Sequence, residues 1–208
     1  YKGGCIIHTF SMSRGKYFRH SPFTCAVLLV LFCVVPALAA QEEDTGGSFR
    51  AYLPVAITSG GQSPDSFVVS ASARQVGIAH RYDDLITAQG LAGFRSLIIV
   101  MGASSKGLGE AGLSVSKEIA RVSALVERAK SGGMKIIAVH IGGNARRGAL
   151  SDDFITLVVP HADCIVATNE GNGDGLFTKE ARKSGIPLFL LKSSREINAL
   201  LREIFLQG

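Results

Sequence analysis

The sequence predicts an α/β domain built on a doubly wound, mostly parallel sheet of five or six strands, and three observations carry that prediction. Six short aliphatic runs, at 54–58, 79–82, 97–101, 135–140, 164–168 and 187–191, alternate with amphipathic stretches, the order that successive βαβ units impose. Most of these runs lack apolar/polar alternation, as strands covered on both faces should. Three helix exits repeat one pattern: Arg74-Gln-Val-Gly77-Ile78, Ala129-Lys-Ser-Gly132-Gly133-Met134 and Arg182-Lys-Ser-Gly185-Ile186. Each puts glycine where a helix must end in a left-handed conformation before the next strand. Right-handed crossovers then gather the strand-exit loops on one rim of a three-layer sandwich, Rossmann-like or flavodoxin-like in outline.

Taken in order, the chain opens on Tyr1 and shows no clear pattern as far as Ser11, so Met12 is the expected start. Arg14, Lys16 and Arg19 form a basic patch, 23–35 an apolar run, and Ala37-Leu38-Ala39 supplies the small residues a signal peptidase needs. These features predict a signal peptide cleaved near Ala39 or Ala40. They imply a secreted or periplasmic protein with no stable membrane span after cleavage, because the apolar run is short for a span of about 20 residues. Phe32 is too bulky before Cys33 for a lipoprotein signal. The expected organisation is therefore 1–39 as upstream residues and leader, 40–50 as a flexible lead-in, and 51–208 as a single α/β domain.

The leader also explains the charge. The whole chain carries +5, but Lys2, Arg14, Lys16 and Arg19 belong to the leader; without them 18 of the 22 basic residues remain against 17 acids, a net of +1. The basic balance is then an export feature, and no nucleic-acid partner is expected. Cys5, Cys25 and Cys33 leave with the leader too. Cys164, inside an apolar run, reads as a small core residue.

The domain begins with Leu53-Pro-Val-Ala-Ile-Thr-Ser-Gly-Gly-Gln-Ser-Pro-Asp65, a strand, a glycine turn and a helix start with Ser63 as N-cap and Pro64 at the first helical position. The run at 79–82 is polar enough to be an edge strand. Val115, Ile119, Val122, Val126 and Ala129 share one apolar stripe. Ile197, Leu200, Leu201 and Ile204 make another, opened by Ser193 and Glu196 as a capping box.

That opening phrase, with a leader before it and Leu97-Ile-Ile-Val-Met-Gly-Ala-Ser-Ser-Lys-Gly-Leu-Gly109 after it, resembles a family of secreted bacterial domains of unknown function. The similarity runs from about Leu53 to the C-terminus. It implies export and a bacterial origin, transfers no catalytic residue, and hints at companionship with a solute-uptake system.

Candidate site residues follow from the rim. In the first loop, Ser59, Gly60, Gly61, Gln62 and Ser63 offer open N–H groups and neutral hydrogen bonds, which suits a phosphate. Asp65 in the first helical turn already complements the helix dipole and disfavours a strongly anionic ligand. The alternative is a tight turn that simply needs glycine. The stretch 102–112 reads as a mobile loop carrying Lys106 toward a carboxylate or phosphate. Its Gly107, Gly109 and Gly112 spell G-x-G-x-x-G, but the glycines start too far from the strand and the next strand ends in His140, not an acid. No dinucleotide or other cofactor is expected. His140, Asn144 and Arg146 follow the fourth strand, with His140 either a ligand contact or general acid/base, or a structural histidine. Asn169 and Glu170 follow the fifth, while Asn172 and Asp174 suit turns and caps. Neither EF-hand nor zinc spacing is present, so no metal is expected. G-x-S-x-G is absent, and Ser114-Val-Ser-Lys117 lacks its K-T-G companion.

The favoured reading is a secreted module that binds a small polar or anionic solute on the rim. A hydrolase or transferase using Asp65 or His140 as acid/base is one alternative. A non-catalytic partner of a membrane transport complex is the other. Convergence of Asp65, Lys106, His140 and Asn169 on one point is the geometric test of the small-ligand readings, and divergence would count against both together.

Overall fold

In a computed structural model describing residues 49–206, six parallel strands form one sheet. The strands are β1 (Val55–Gly60), β2 (His80–Tyr82), β3 (Ser96–Met101), β4 (Lys135–His140), β5 (Cys164–Thr168) and β6 (Leu188–Leu191), in the order β2-β1-β3-β4-β5-β6. The register stacks Ile57 beside Ile98, Ile98 beside Ile137 and Ile137 beside Cys164. The predicted doubly wound sheet is therefore present, with six strands, and the polar 79–82 run is an edge. The predicted leader and nearly all of the lead-in lie outside the described residues.

The helices are α1 (Asp65–Gln75), α2 (Ser105–Glu110), α3 (Val115–Ser131), α4 (Ala149–Val158), α5 (Leu176–Ser184) and α6 (Ile197–Leu206). Val69 and Ala73 of α1 and the Ile197, Leu200 and Ile204 stripe of α6 cover one face, against Val55, Ile57, Ile98, Val100 and Val139. On the other face Val122 and Leu125 of α3, Phe154 of α4 and Phe177 of α5 pack on Ala56, Leu97, Ile99, Met101 and Ala138. Successive strand residues thus feed opposite cores, which is why the strands read as unbroken apolar runs. Fully burying one large aliphatic side chain contributes about 1.5–3 kcal/mol, so these two faces dominate the stability. The β2–β3 connection has a short 3₁₀ turn (Gln89–Leu91) and no long helix, and its Ile86 and Leu91 fill the core beneath β1.

The three glycine exits share one hydrogen-bond pattern. Gly77, Gly133 and Gly185 have φ of 78°, 66° and 63°. The next residue's N–H reaches back five positions in each case, Ile78 to Ala73, Met134 to Ala129 and Ile186 to Ala181. A bond of this span, made just after a left-handed glycine, is the Schellman cap.

Three local expectations need correction. The α1 helix runs from Asp65, one residue later than read, with Pro64 flanking it in a helical conformation; Ser63 Oγ accepts the Asp65 N–H at 3.2 Å. At α6, Ser193 makes no cap bond and Glu196 accepts from Lys192 N at 2.8 Å, so the reciprocal capping box does not form. The buried stripe of α3 is Glu118, Val122, Leu125, Val126 and Ala129, with Val115 exposed. The helix is rotated so that an acid faces inward.

Candidate functional site

In a doubly wound sheet the ligand crevice opens where neighbouring connections leave on opposite faces. Here that point lies between β1 and β3, and backbone hydrogen bonds close it. Gly102 N donates to Gly60 O at 3.1 Å and Ser104 N to Gly61 O at 2.9 Å. Gln62 and Ala103 form an isolated antiparallel bridge. Gly61 sits at φ 106°, and a Cβ there would lie 2.7 Å from Gly102 O. Glycine is required for contact between the two loops, as in the turn alternative.

The turn already holds an anion, supplied by the protein itself. Fully buried Glu118 accepts from Gly61 N at 3.1 Å and from Gln62 Nε2 at 3.0 Å. Arg121 pairs with the same carboxylate through two contacts of 2.8 Å. It also donates to Ser59 O at 2.6 Å, Thr58 Oγ1 at 3.3 Å and Ile86 O at 3.0 Å. Burial pushes the Glu118 carboxyl up, but the Arg121 hydrogen bonds and charge, with the Gly61 and Gln62 donors, outweigh it and hold the group below its usual range. The expected open phosphate cradle is therefore filled. Ser59 is buried inside β1, and Gly60 is in the ladder opposite Met101. Glu118 and Arg121 escaped the sequence reading, although an acid three residues before Arg121 on the face of Val122 and Ala129 was a visible signal.

Above this seal, Asp65 approaches Arg146, with Oδ2 3.9 Å from Nε. Oδ2 is buried and makes no hydrogen bond among the described residues. A Cβ on Gly142 would collide with both Asp65 Oδ2 and the Arg146 stem, so glycine makes room for the pair.

The remaining predicted residues do not converge. His140 is fully buried, with Nδ1 3.0 Å from Met101 O, Nε2 3.2 Å from Gly143 O and its ring stacked on Phe177. It braces the β4 exit and does not reach the rim surface. The stretch read as a mobile loop is helix α2, capped by Ser104 Oγ accepting from Gly107 N at 3.0 Å. Gly107 lies against the Gln62 carbonyl and has no room for a Cβ, so packing accounts for this glycine. Lys106 is 86% exposed and 3.7 Å from Glu110. Asn144, Asn169 and Glu170 are exposed, Asn169 N bonds to Leu191 O at 2.8 Å, and Glu170 leans on Gly143. Arg147 ties the β4 and β5 loops together through Asp152, Gly171 O and Asp174. Its hydrogen bonds hold the Asp174 carboxyl down to about 2. Asn172 Oδ1 caps α5 by accepting from Phe177 N at 2.9 Å.

What the rim does present is a pocket of about 630 Å³ to the β2 side of the sealed crevice. Gln62, Ser63, Lys106 and Arg146 line it, joined by Phe67, Tyr82, Asp84, Leu85, Ser104 and Glu110, which the sequence reading passed over. Tyr82 OH donates to Asp84 Oδ2 at 2.6 Å and Ser66 Oγ to Oδ1 at 2.9 Å. Burial, with the Asp84 carboxylate beside it, pushes the Tyr82 hydroxyl up to about 12. Phe67 stands edge-on to Tyr82 at 6.1 Å. The signal was positional: Asp83, Asp84 and Leu85 leave the edge strand at the same rim as every other loop.

The family described as "Domain of unknown function (DUF6305)" matches residues 52–205, nearly all of the described domain. The chain belongs to the DUF6305 family. No curated protein matches the sequence. Among solved structures, this DUF6305 domain is similar to a GDSL-like lipase from Bacteroides thetaiotaomicron, at 11% identity over 81% of this chain and 77% of the lipase, with a TM-score of 0.32. It is also similar to the psychrotrophic esterase EstA from Pseudoalteromonas sp. (12% identity, 72% of this chain and 92% of the esterase, TM-score 0.28). A mutant of the esterase AlinE4 matches at 15% identity over 78% and 85% of the two chains, with a TM-score of 0.28. Likenesses this distant carry no statement about chemistry.

In this DUF6305 domain no histidine is among the pocket-lining residues. The pocket offers hydrogen-bond partners and charges of both signs. Among the described residues no helix is long and apolar enough to cross a membrane.

Proposed function

We propose that the domain binds a small polar solute, without turnover, in the pocket between the β1 turn, the β2 exit and α2. The observation that supports this is the grouping of Gln62, Ser63, Lys106 and Arg146 with Tyr82 and Asp84 around one volume of about 630 Å³, a size ordinary for small-ligand sites. Asp65, Lys106, His140 and Asn169 do not meet at one point, which goes against the cleft built on them. The proposed site is a different group that shares only Lys106, because His140 is committed to backbone carbonyls and Asp65 and Asn169 are not among the lining residues. The basic, apolar and small-residue segments before residue 40 and the family resemblance support export and a companion role in solute uptake as parts of the same proposal.

The test is thermal-shift screening of the purified protein against organic acids, sugars, amino acids and nucleotides. A ligand at a hundred times its Kd stabilises the folded state by about 2.7 kcal/mol. The expected result is a shift that Arg146→Ala abolishes and that is accompanied by no product. Turnover of the bound compound would replace the binding role by an enzymatic one. Fractionation of expressing cells tests export, with the protein expected outside the cytoplasm.

A further inference from the structure

We infer that the solute is a zwitterion with an apolar body, namely an α-amino acid carrying an aromatic or branched aliphatic side chain. The inference rests on the binding role proposed above and adds the ligand class to it.

The charges of the pocket walls balance. The lining contains two cations, Lys106 and Arg146, and two acids, Asp84 and Glu110. A simple carboxylate or phosphate that reaches the cations also meets two carboxylates, and a simple amine meets the converse. Like-charge juxtaposition disfavours both. A ligand with one charge of each sign matches the walls.

The fixed groups sharpen the match. Arg146 is only loosely engaged by Asp65: the 3.9 Å separation is well beyond the 2.7–2.9 Å of a charge-assisted hydrogen bond. Its planar fork suits a carboxylate. The Asp84 carboxylate is held by the hydroxyls of Tyr82 and Ser66 at 2.6 and 2.9 Å. Its oxygens keep further lone pairs, which is what an ammonium group requires.

An apolar flank adjoins the charged groups. Phe67 is 60% exposed and Leu85 47% exposed, and both line the pocket alongside Pro64 and Ala111. Large apolar side chains standing in water beside a polar pocket mark a binding surface. They would cover the side chain of an amino acid whose two charged groups lie between Arg146 and Asp84.

Calorimetric titration of the purified protein with L-phenylalanine, L-leucine, 3-phenylpropionate, 2-phenylethylamine and glycine tests this. L-Phenylalanine and L-leucine are expected to bind, and the three probes lacking the amine, the carboxylate or the side chain to bind at least about tenfold more weakly. Asp84→Asn keeps groups that can bond to Tyr82 and Ser66 but removes the charge. It should weaken L-phenylalanine about tenfold while leaving 3-phenylpropionate unchanged or tighter. Leu85→Ala, at an exposed position that spares the fold, should weaken L-leucine and not glycine. Binding of 3-phenylpropionate as tight as that of L-phenylalanine would overturn the zwitterion assignment while leaving the pocket as the site. So would an Arg146-dependent shift with sugars or nucleotides and none with amino acids. If no compound shifts the protein, or if Arg146→Ala alters no shift, the assignment and the pocket reading fall together.

Discussion

The two halves of the rim use similar residues in opposite ways. At the β1–β3 crevice, the glycine turn, Gln62, Glu118 and Arg121 satisfy one another, and the loops are tied by backbone bonds. Beside it, Lys106, Glu110, Phe67 and Leu85 stand in solvent around a pocket, and Arg146 is paired only at long range. Gln62 belongs to both, bonding Glu118 and the Asp84 carbonyl while lining the pocket. The comparison teaches that topology names a neighbourhood for a site, while polar satisfaction decides which part of that neighbourhood is free to bind. A closed hydrogen-bond network rigidifies its wall. Under the proposed binding role, the unsatisfied part is where a ligand would sit.

Glu118→Ala should break this contrast most strongly. It leaves the largely buried Arg121 without its carboxylate and strips the Gly61 N–H of its acceptor, a change of the kind that costs about 3–5 kcal/mol. Urea denaturation should show the loss, and Glu118→Gln, which keeps an acceptor, should lose less. The pH dependence has a defined sign. The Glu118 carboxyl is held below its usual 4.5 in the fold, so its contribution is present above that value and fades as pH falls through the folded pKa. In Glu118→Gln that acid-side loss of stability should be reduced.

Gly61→Ala attacks the same seal by sterics alone. The residue would be placed at φ 106° with Cβ 2.7 Å from Gly102 O, a strain of about 1–3 kcal/mol. The variant should still fold, with the midpoint of thermal unfolding lowered and faster hydrogen exchange at Gly102 and Ser104. Unchanged exchange at these amides would show that the two loops are not held together by this contact.

Much of the fold was legible because its signals are local or periodic. Buried parallel strands read as apolar runs, and the three helix exits depend on one glycine each. Helix α2 was not legible, since Gly107 and Gly109 disfavour a helix and the reason for Gly107 is the carbonyl of Gln62, a distant residue. The burial of His140 was equally hidden: a histidine at a strand exit looks the same whether it faces solvent or the carbonyls of Met101 and Gly143. Four pocket residues, Gln62, Ser63, Lys106 and Arg146, were legible because they lie in the loops that leave the strand ends at the rim. Tyr82 and Asp84 were not legible because nothing in the short polar run His80-Arg81-Tyr82-Asp83-Asp84 distinguishes the side chains that turn toward the rim from those that face solvent.

Tyr82→Phe probes the boundary between the halves with a moderate effect. It removes the donor to Asp84 and should cost about 1 kcal/mol, the usual net value of one hydrogen bond. In the unmodified protein the Tyr82 hydroxyl is pushed from 10.0 up to about 12. The stability it contributes is therefore present below pH 10 and lost as pH rises toward 12. Ultraviolet titration of the tyrosines should show one late-ionising group that is absent from Tyr82→Phe.

The smallest effect on stability, and the sharpest test of the contrast, belongs to the open half. Lys106 is 86% exposed with a 3.7 Å partner in Glu110, and Phe67 is 60% exposed on α1. Neither group supports the seal, and exposed ion pairs contribute little. Lys106→Ala and Phe67→Ser should both leave the unfolding free energy within about 0.5 kcal/mol of the parent. Under the amino-acid assignment, Phe67→Ser should weaken L-phenylalanine and L-leucine together, because it removes the apolar flank they share. Lys106→Ala should weaken both L-phenylalanine and 3-phenylpropionate, because it acts on the carboxylate. A large loss of stability in either variant would mean that these side chains support the fold, and the division of the rim into a sealed half and a binding half would fail with it.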